Sequence, residues 1–202
     1  FIKVNNLQFM ETHRSNDLYF VCISLAMAKR VTILEEKLVN YRKSSGSLQA
    51  NNANSPWDWY EALKAVRTKL MELGIYEDVE YSYKNYVLDV SFYNLESMGN
   101  AQVFSMVYEK IKKEIFKELG MEELKKEEIN SWNEKYYEQY LQLKASGEKE
   151  YLFYRIKELK KENQYWMERA RKAEQDTKNN IIYITARNIW IMARRILRKK
   201  GK

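Results

Sequence analysis

The sequence is poor in residues that interrupt helices and in residues that build covalent or metal frameworks. Its 202 residues include one cysteine, one proline, six glycines and one histidine. With so few helix breakers, long helices are expected. The lone Cys22 excludes an internal disulfide framework and favours a reducing, cytoplasmic compartment. The single histidine, His13, argues against a His-rich metal site and against a Ser-His-Asp triad.

Motifs that mark common nucleotide and dithiol sites are also absent. The sequence contains no G-x-x-x-x-G-K-[ST], no G-x-G-x-x-G and no C-x-x-C, so the familiar phosphate cradles are not expected. It begins at Phe1 without a basic and then apolar leader, and we expect no signal peptide. Because Ile2, Val4 and Leu7 lead directly into a polar turn, we expect the chain to be a piece of a longer protein.

The net charge of +7 comes from the carboxy-terminal end of the chain, since the part before Thr177 is close to neutral. An aromatic helix with a polybasic end can lie on an anionic membrane surface. Alternatively, its apolar side chains pack on the preceding helices and its cations are solvated. The candidate docking residues are Trp190, Arg194, Arg195, Arg198, Lys199 and Lys200. No basic face extends into the rest of the chain, so nucleic acid is not an expected partner.

The chain is organised around residues 7–48. A helix is predicted over 17–29, capped by Ser15 or Asn16, and its apolar residues lie on every face. Such a helix is expected to be covered on all sides. Strands are predicted at 31–34 and 38–41, followed by a polar loop at 43–55.

A compact helical subdomain is predicted next. Ser55 and Pro56 are typical of the start of a helix, and Gly74 is typical of its end. Asn100 can cap a later helix that Gly120 ends. The predicted helices cover 55–74, 82–97 and 100–119.

The last third of the chain is predicted to form a helical arm, with one helix over 128–144 and a longer one over 148–177. Along the longer helix a seam recurs in steps of four and three, as in a coiled coil. The seam residues are Leu152, Ile156, Leu159, Asn163, Trp166, Ala170 and Ala173. The arm can fold back as an antiparallel hairpin, which the short turn favours, or pair with a second copy in a homodimer.

Few residues could carry acid–base chemistry. Asp17 lies in the first turn of the predicted helix, where the helix dipole favours a negative charge. An ionised carboxylate there can take a proton from a substrate hydroxyl as a general base, although aspartate at a helix start is more often a structural cap. Glu11 is a second acid or a solvated turn residue. Arg42 could bind a phosphate or form a surface ion pair.

The segment FMETHRSNDLYFVCISLAMAKRVTILEEKLVNYRKSSGSL resembles the end of the catalytic domain of bacterial family 2 glycosyltransferases. In that family a phenylalanine–glutamate turn leads to an acidic pair at a helix start, then to an apolar helix, strands and a Tyr-Arg. The following WDWYEALKAVRTKLMELGIYEDVEYSYKNYVLDVSFYNLES resembles the helical region behind that domain in enzymes that make surface polysaccharides. The resemblance covers residues 7–120.

The resemblance implies a GT-A-type α/β fold and inverting transfer of a sugar from a nucleotide-sugar donor to an acceptor hydroxyl of a cell-surface glycan. The family's base, the second member of the acidic pair, aligns with Asp17. The first member aligns with Asn16, where most relatives have glutamate. The donor-binding strands, and the D-x-D that holds a divalent metal on the diphosphate, do not occur in this sequence. The chain is therefore expected to be inactive alone and to hold no cofactor itself.

Together these observations predict a mainly α chain that retains a remnant of an α/β GT-A domain. Residues 1–50 would be that remnant, 51–121 a three-helix subdomain, and 122–202 a hairpin or coiled-coil arm with a basic end. The second hypothesis is a helical interaction or membrane-docking module, in which the arm binds a partner, a second copy or the inner face of the cell membrane.

Overall fold

The computed structural model describes residues 1–40 and 52–200, with side chains described as far as residue 185 apart from 182 and 183. The described residues are mainly helical and contain no strand. The chain divides into two compact units, 1–148 and 149–202. This division falls inside the predicted arm, and the predicted boundaries after residues 50 and 121 stay predictions.

The described helices follow one another along the chain with short connections. They are α1 (Asn16–Met27), α2 (Asp58–Glu72), α3 (Tyr76–Glu96), α4 (Ala101–Lys110), α5 (Phe116–Glu118), α6 (Glu134–Ala145) and α7 (Glu148–Lys200). A π-helical turn (Ile111–Ile115) joins α4 to α5, and a 3-10 turn (Lys126–Glu128) precedes α6.

The local signals for helix ends in the first unit are confirmed. The Asn100 side chain accepts hydrogen bonds from the backbone N–H groups of Gln102 and Val103, which caps α4 as predicted. Gly74 and Gly120 follow helix ends with φ of 66° and 77°, the left-handed conformation that glycine adopts without steric cost.

Two predicted caps are wrong. Ser15 precedes α1 with φ 53°, and its side chain makes no capping bond. Ser55 does not cap α2 either, because that helix begins after Trp57, whose carbonyl oxygen accepts from Tyr60 and Glu61. In both places the loop geometry, and not a side-chain oxygen, determines where the helix starts.

The prediction that the first helix is covered on all sides is wrong as well. α1 packs against α2 and buries Leu18 and Ile23. Val21 and Leu25 remain 48% and 55% exposed. A single packed helix can cover only one face of α1, whereas the residue pattern is apolar on every face.

The strands predicted at 31–34 and 38–41 are not seen in the described residues, which end at residue 40. Residues 31–40 form no ladder, and Ile33 and Val39 are 88% and 82% exposed. A strand is stable only when a neighbouring strand satisfies its backbone groups, and the described chain offers none here. The predicted loop 43–55 lies mostly outside the described residues.

α3 is the central helix of the first unit and packs against α2, α4 and α6. Its fully buried Phe92 meets Phe116 at 6.0 Å and stacks on Tyr136 at 5.9 Å between ring centroids. The buried Tyr83 hydroxyl donates to the carbonyl oxygen of Leu63 on α2 at 3.1 Å. This core fixes which face of α3 is turned toward α1.

The helix predicted over 128–144 begins later, at Glu134. The reason is a tertiary competitor for its backbone. The Asn130 N–H donates to Oδ1 of Asn85 on α3 at 3.0 Å, and Nδ2 of Asn133 donates to the Asn85 carbonyl oxygen at 2.7 Å.

The second unit consists of α7, a single helix where two segments were predicted. No glycine or proline lies between residues 148 and 200, so nothing in the backbone interrupts the helix, which is roughly 80 Å long at 1.5 Å per residue. Among the described residues, no helix is both long and apolar enough to cross a bilayer. The hairpin and the dimer both stay predictions.

Candidate ligand-binding groove

A groove of about 390 Å³ opens between the amino-terminal end of α1 and one face of α3. Its volume falls in the range of roughly 300–1,000 Å³ that is typical of small-molecule sites. One wall consists of His13, Arg14, Ser15, Asn16 and Asp17, and the first two turns of α1 add Leu18 and Val21. The other wall consists of Tyr86, Val90, Tyr93 and Asn94.

The loop that forms the first wall is held from two directions. The backbone N–H of Arg14 donates to carboxylate Oδ2 of Asp58, in the first turn of α2, at 2.8 Å. Phe9 stacks on Phe20 of α1 with their ring centroids 4.4 Å apart. The loop is thus fastened to both helices that follow it.

Ser15 stands at the centre of this wall in a left-handed conformation, with φ 53° and ψ 22°. A non-glycine residue in this region is uncommon and stores backbone strain, which tends to cluster at ligand-binding and catalytic sites. The strain is maintained because the bonds at Arg14 and the start of α1 determine the path of the chain on both sides.

Asp17 follows in the first turn of α1, and its exposed side chain lines the groove. Across the groove, burial raises the pKa of Tyr86 to about 12, with further contributions from Cys22, Asp17 and Asp89. The Tyr86 hydroxyl therefore keeps its proton at neutral pH. The contribution of Asp17 shows that its carboxylate lies within electrostatic reach of this hydroxyl.

Arg14 adds the one cationic side chain among the described groove residues. Burial lowers the pKa of its guanidinium, against the opposing influence of Tyr93 and Asp58. Arginine remains charged even so. The formal charges of Arg14 and Asp17 balance, which leaves the lining close to neutral.

Asn94 provides a buried polar group that the described chain leaves incompletely bonded. Its side chain is on a residue only 4% exposed. Nδ2 donates to the Val90 carbonyl oxygen at 2.8 Å, whereas Oδ1 has no hydrogen-bond partner among the described residues. Buried polar atoms are nearly always paired in proteins, so an orphan in a groove is a candidate ligand contact.

The residues singled out in the sequence have different outcomes. Asn16 and Asp17 lie together on the groove wall. Glu11 is exposed and lies outside the described groove lining. Arg42 lies outside the described residues, and so do the side chains of the six candidate docking residues of the tail. Membrane docking by the tail therefore stays a prediction.

Sequence reasoning missed the α3 wall. Tyr86, Val90, Tyr93 and Asn94 recur at the i, i+4, i+7 and i+8 spacing of one helix face, which was interpreted as an apolar core face. The signal that could have separated them is that tyrosine and asparagine carry polar groups. Only the structure shows that α1 leaves this face partly open.

Metal binding has no donor set in the described part of the chain, where no group of three or more His, Cys, Asp or Glu could hold an ion. The residues present therefore do not fit the divalent ion that the glycosyltransferase resemblance implies, and no step is assigned to it. Comparison with known proteins returns no matching family model, no matching curated protein and no matching solved structure. The resemblance rests on the quoted residues alone.

Proposed function

We propose that this chain is the acceptor-handling, carboxy-terminal part of a family 2-like glycosyltransferase, with Asp17 as its general base. The observation that carries the proposal is the position of Asp17 on the wall of a small groove that also presents tyrosines and an orphan amide oxygen. This is the polar and aromatic lining that a sugar hydroxyl needs beside a base.

The proposed reaction uses Asp17 for one proton transfer. Its carboxylate takes the proton of the acceptor hydroxyl as the acceptor oxygen bonds to the anomeric carbon of the donor sugar. The bond from that carbon to the nucleoside diphosphate breaks, the diphosphate leaves with the electron pair, and the anomeric configuration inverts. The donor would be bound by polypeptide that carries the strands and the D-x-D absent from these residues.

Residues 1–50 would then be the remnant of the α/β catalytic domain. The extended, exposed apolar residues around Ile33 and Val39 support this assignment, since such a segment could add to a sheet whose other strands lie in the donor-binding part. The sheet itself belongs to the proposal.

The proposal is tested in the full-length gene product that includes a donor-binding segment. Asp17→Asn should lower kcat by about 10²–10⁴, the contribution typical of a general base, and should leave donor binding unchanged. Glu11→Gln is the matched control, because it removes a nearby carboxylate outside the described groove lining and should leave kcat unchanged. Equal turnover in wild type and Asp17→Asn would return Asp17 to the role of a helix-start residue.

A second candidate function, self-association through α7, is favoured by one specific observation. The seam residues Leu152, Ile156, Leu159 and Trp166 are all exposed, although they lie on a single uninterrupted helix. A coiled coil with a second copy would cover them. The spacing also continues in steps of four and three through Thr177 and Asn180 to the exposed Ile184.

Sedimentation equilibrium of the chain measures this association directly. The wild type should be dimeric, and Ile156→Lys together with Leu159→Lys should make it monomeric by placing charges in the seam. Lys157→Glu, one position outside the seam, is the control for a general effect of charge. A monomeric wild type across the accessible concentration range would eliminate this candidate.

A further inference from the structure

We propose that the α3 wall of the groove is the subsite for a neutral sugar ring of the acceptor, held by Asn94 and the two tyrosines. Naming the sugar as the acceptor rests on the proposed function. The binding of a neutral sugar at this wall stands on the groove alone.

The first step concerns what Asn94 requires. Because Nδ2 is committed to the Val90 carbonyl oxygen, the assignment of the amide oxygen is determined by the hydrogen bond. Oδ1 can only accept. Its ligand must therefore supply an O–H or N–H donor.

A matched residue on the same helix shows that this vacancy is specific to the groove. Asn85 is 3% exposed and Asn94 4%, so both are buried to the same degree. Asn85 Oδ1 accepts from the backbone N–H of Asn130, and its Nδ2 donates to the carbonyl oxygens of Tyr81 and Glu128. The asparagine that is fully bonded lies in the core, and the one that is not lies in the groove.

The remaining lining selects among the donors. Tyr86 and Tyr93 offer ring faces with Val90 between them, and such a surface suits the C–H face of a sugar. Asp17 is a second acceptor on the opposite wall, so the ligand needs donors pointing in at least two directions. A polyhydroxylated ring has them, whereas a planar nucleobase presents donors along its edge. The balanced charges of Arg14 and Asp17 favour a neutral ring.

The experiment titrates the isotopically labelled 202-residue chain with methyl glycosides of glucose, galactose, mannose and N-acetylglucosamine, with uridine as the competing class. NMR follows the Asn94 side-chain amide and the tyrosine rings. At least one glycoside should shift these signals, and Asn94→Leu should weaken its binding by about tenfold, the value of one well-made hydrogen bond. Tyr86→Phe is a milder variant that should also weaken binding.

Tyr81→Phe is the control, because Tyr81 is an exposed tyrosine of α3 outside the described groove lining and its removal should leave the affinity unchanged. Three results would overturn the subsite: no shift with any glycoside, equal glycoside affinity in wild type and Asn94→Leu, or binding of uridine alone. Failure of the catalytic proposal is a separate result. In that case Asp17→Asn keeps full turnover while glycoside binding still depends on Asn94.

Discussion

The backbone N–H of Arg14 donates a hydrogen bond to the Asp58 carboxylate at 2.8 Å, and this bond ties the loop before α1 to the first turn of α2. The same carboxylate lies where the helix dipole favours a negative charge. One aspartate therefore stabilises α2 and positions a wall of the groove.

Removal of this tether should destabilise the fold measurably. Asp58→Ala is expected to lower the free energy of unfolding by about 1.5–3 kcal/mol, the range for a hydrogen bond to a charged group. Urea denaturation monitored by circular dichroism measures the loss. Asp78→Ala is the matched control, since Asp78 is also acidic in the first turn of a helix and its removal should cost only about 0.3–1 kcal/mol from the dipole. Equal losses for the two variants would show that the Arg14 bond contributes nothing.

Asn94 and Asn85 should respond differently to the same substitution. Asn85→Leu leaves several buried partners unsatisfied and is expected to cost about 2–3 kcal/mol. Asn94→Leu removes an oxygen that has no partner among the described residues, so the free energy of unfolding should change by less than about 1 kcal/mol. Thermal and urea unfolding of both variants compare them. A loss at Asn94 as large as that at Asn85 would mean that its oxygen is bonded in the free protein.

The acid limb of the stability curve should depend on Glu128. The hydrogen bond from Lys84 lowers the pKa of Glu128 against the effect of burial, and the Lys125 backbone N–H adds to the lowering. Because the folded-state pKa is depressed, this stabilisation is present above the usual glutamate pKa of about 4.3. It is lost as the pH falls through the folded-state value.

Glu128→Gln should therefore lower stability by about 1 kcal/mol at neutral pH and flatten its decline below about pH 4. The measurement is the free energy of unfolding as a function of pH. Glu109→Gln removes an exposed pair with Lys113 and should change neither quantity appreciably. An unaltered acid limb in Glu128→Gln would contradict the assignment.

Cys22 should be slow to react. Burial raises the pKa of its thiol to about 11, and only the thiolate is nucleophilic. Alkylation by iodoacetamide near pH 8 should be about a hundredfold slower in the folded chain than in the urea-unfolded chain, since the thiolate fraction falls tenfold per pKa unit. Mass spectrometry at timed intervals gives both rates, and the same cysteine serves as its own control. Similar rates in both states would show that the thiol is exposed.

Signals confined to a few neighbouring residues were sufficient to place most helices. Asn100, Gly74 and Gly120 act through bonds and backbone angles within one turn of themselves, so a sequence pattern contains all the information these boundaries require. The mainly helical class followed from the scarcity of glycine and proline for the same local reason. The position of Asp17 in the first turn of a helix also followed from the sequence.

Tertiary structure decided everything that depends on a distant partner. The strands predicted from 31 to 41 need a neighbouring strand that the described chain does not provide, and the late start of α6 depends on Asn85, more than forty residues earlier. The groove exists because α1 covers only part of α3, so Tyr86 and Asn94 line a site where the same spacing could equally have formed core. Residue types determined by themselves which helices form; only their packing decided which of the polar groups would remain available to a ligand.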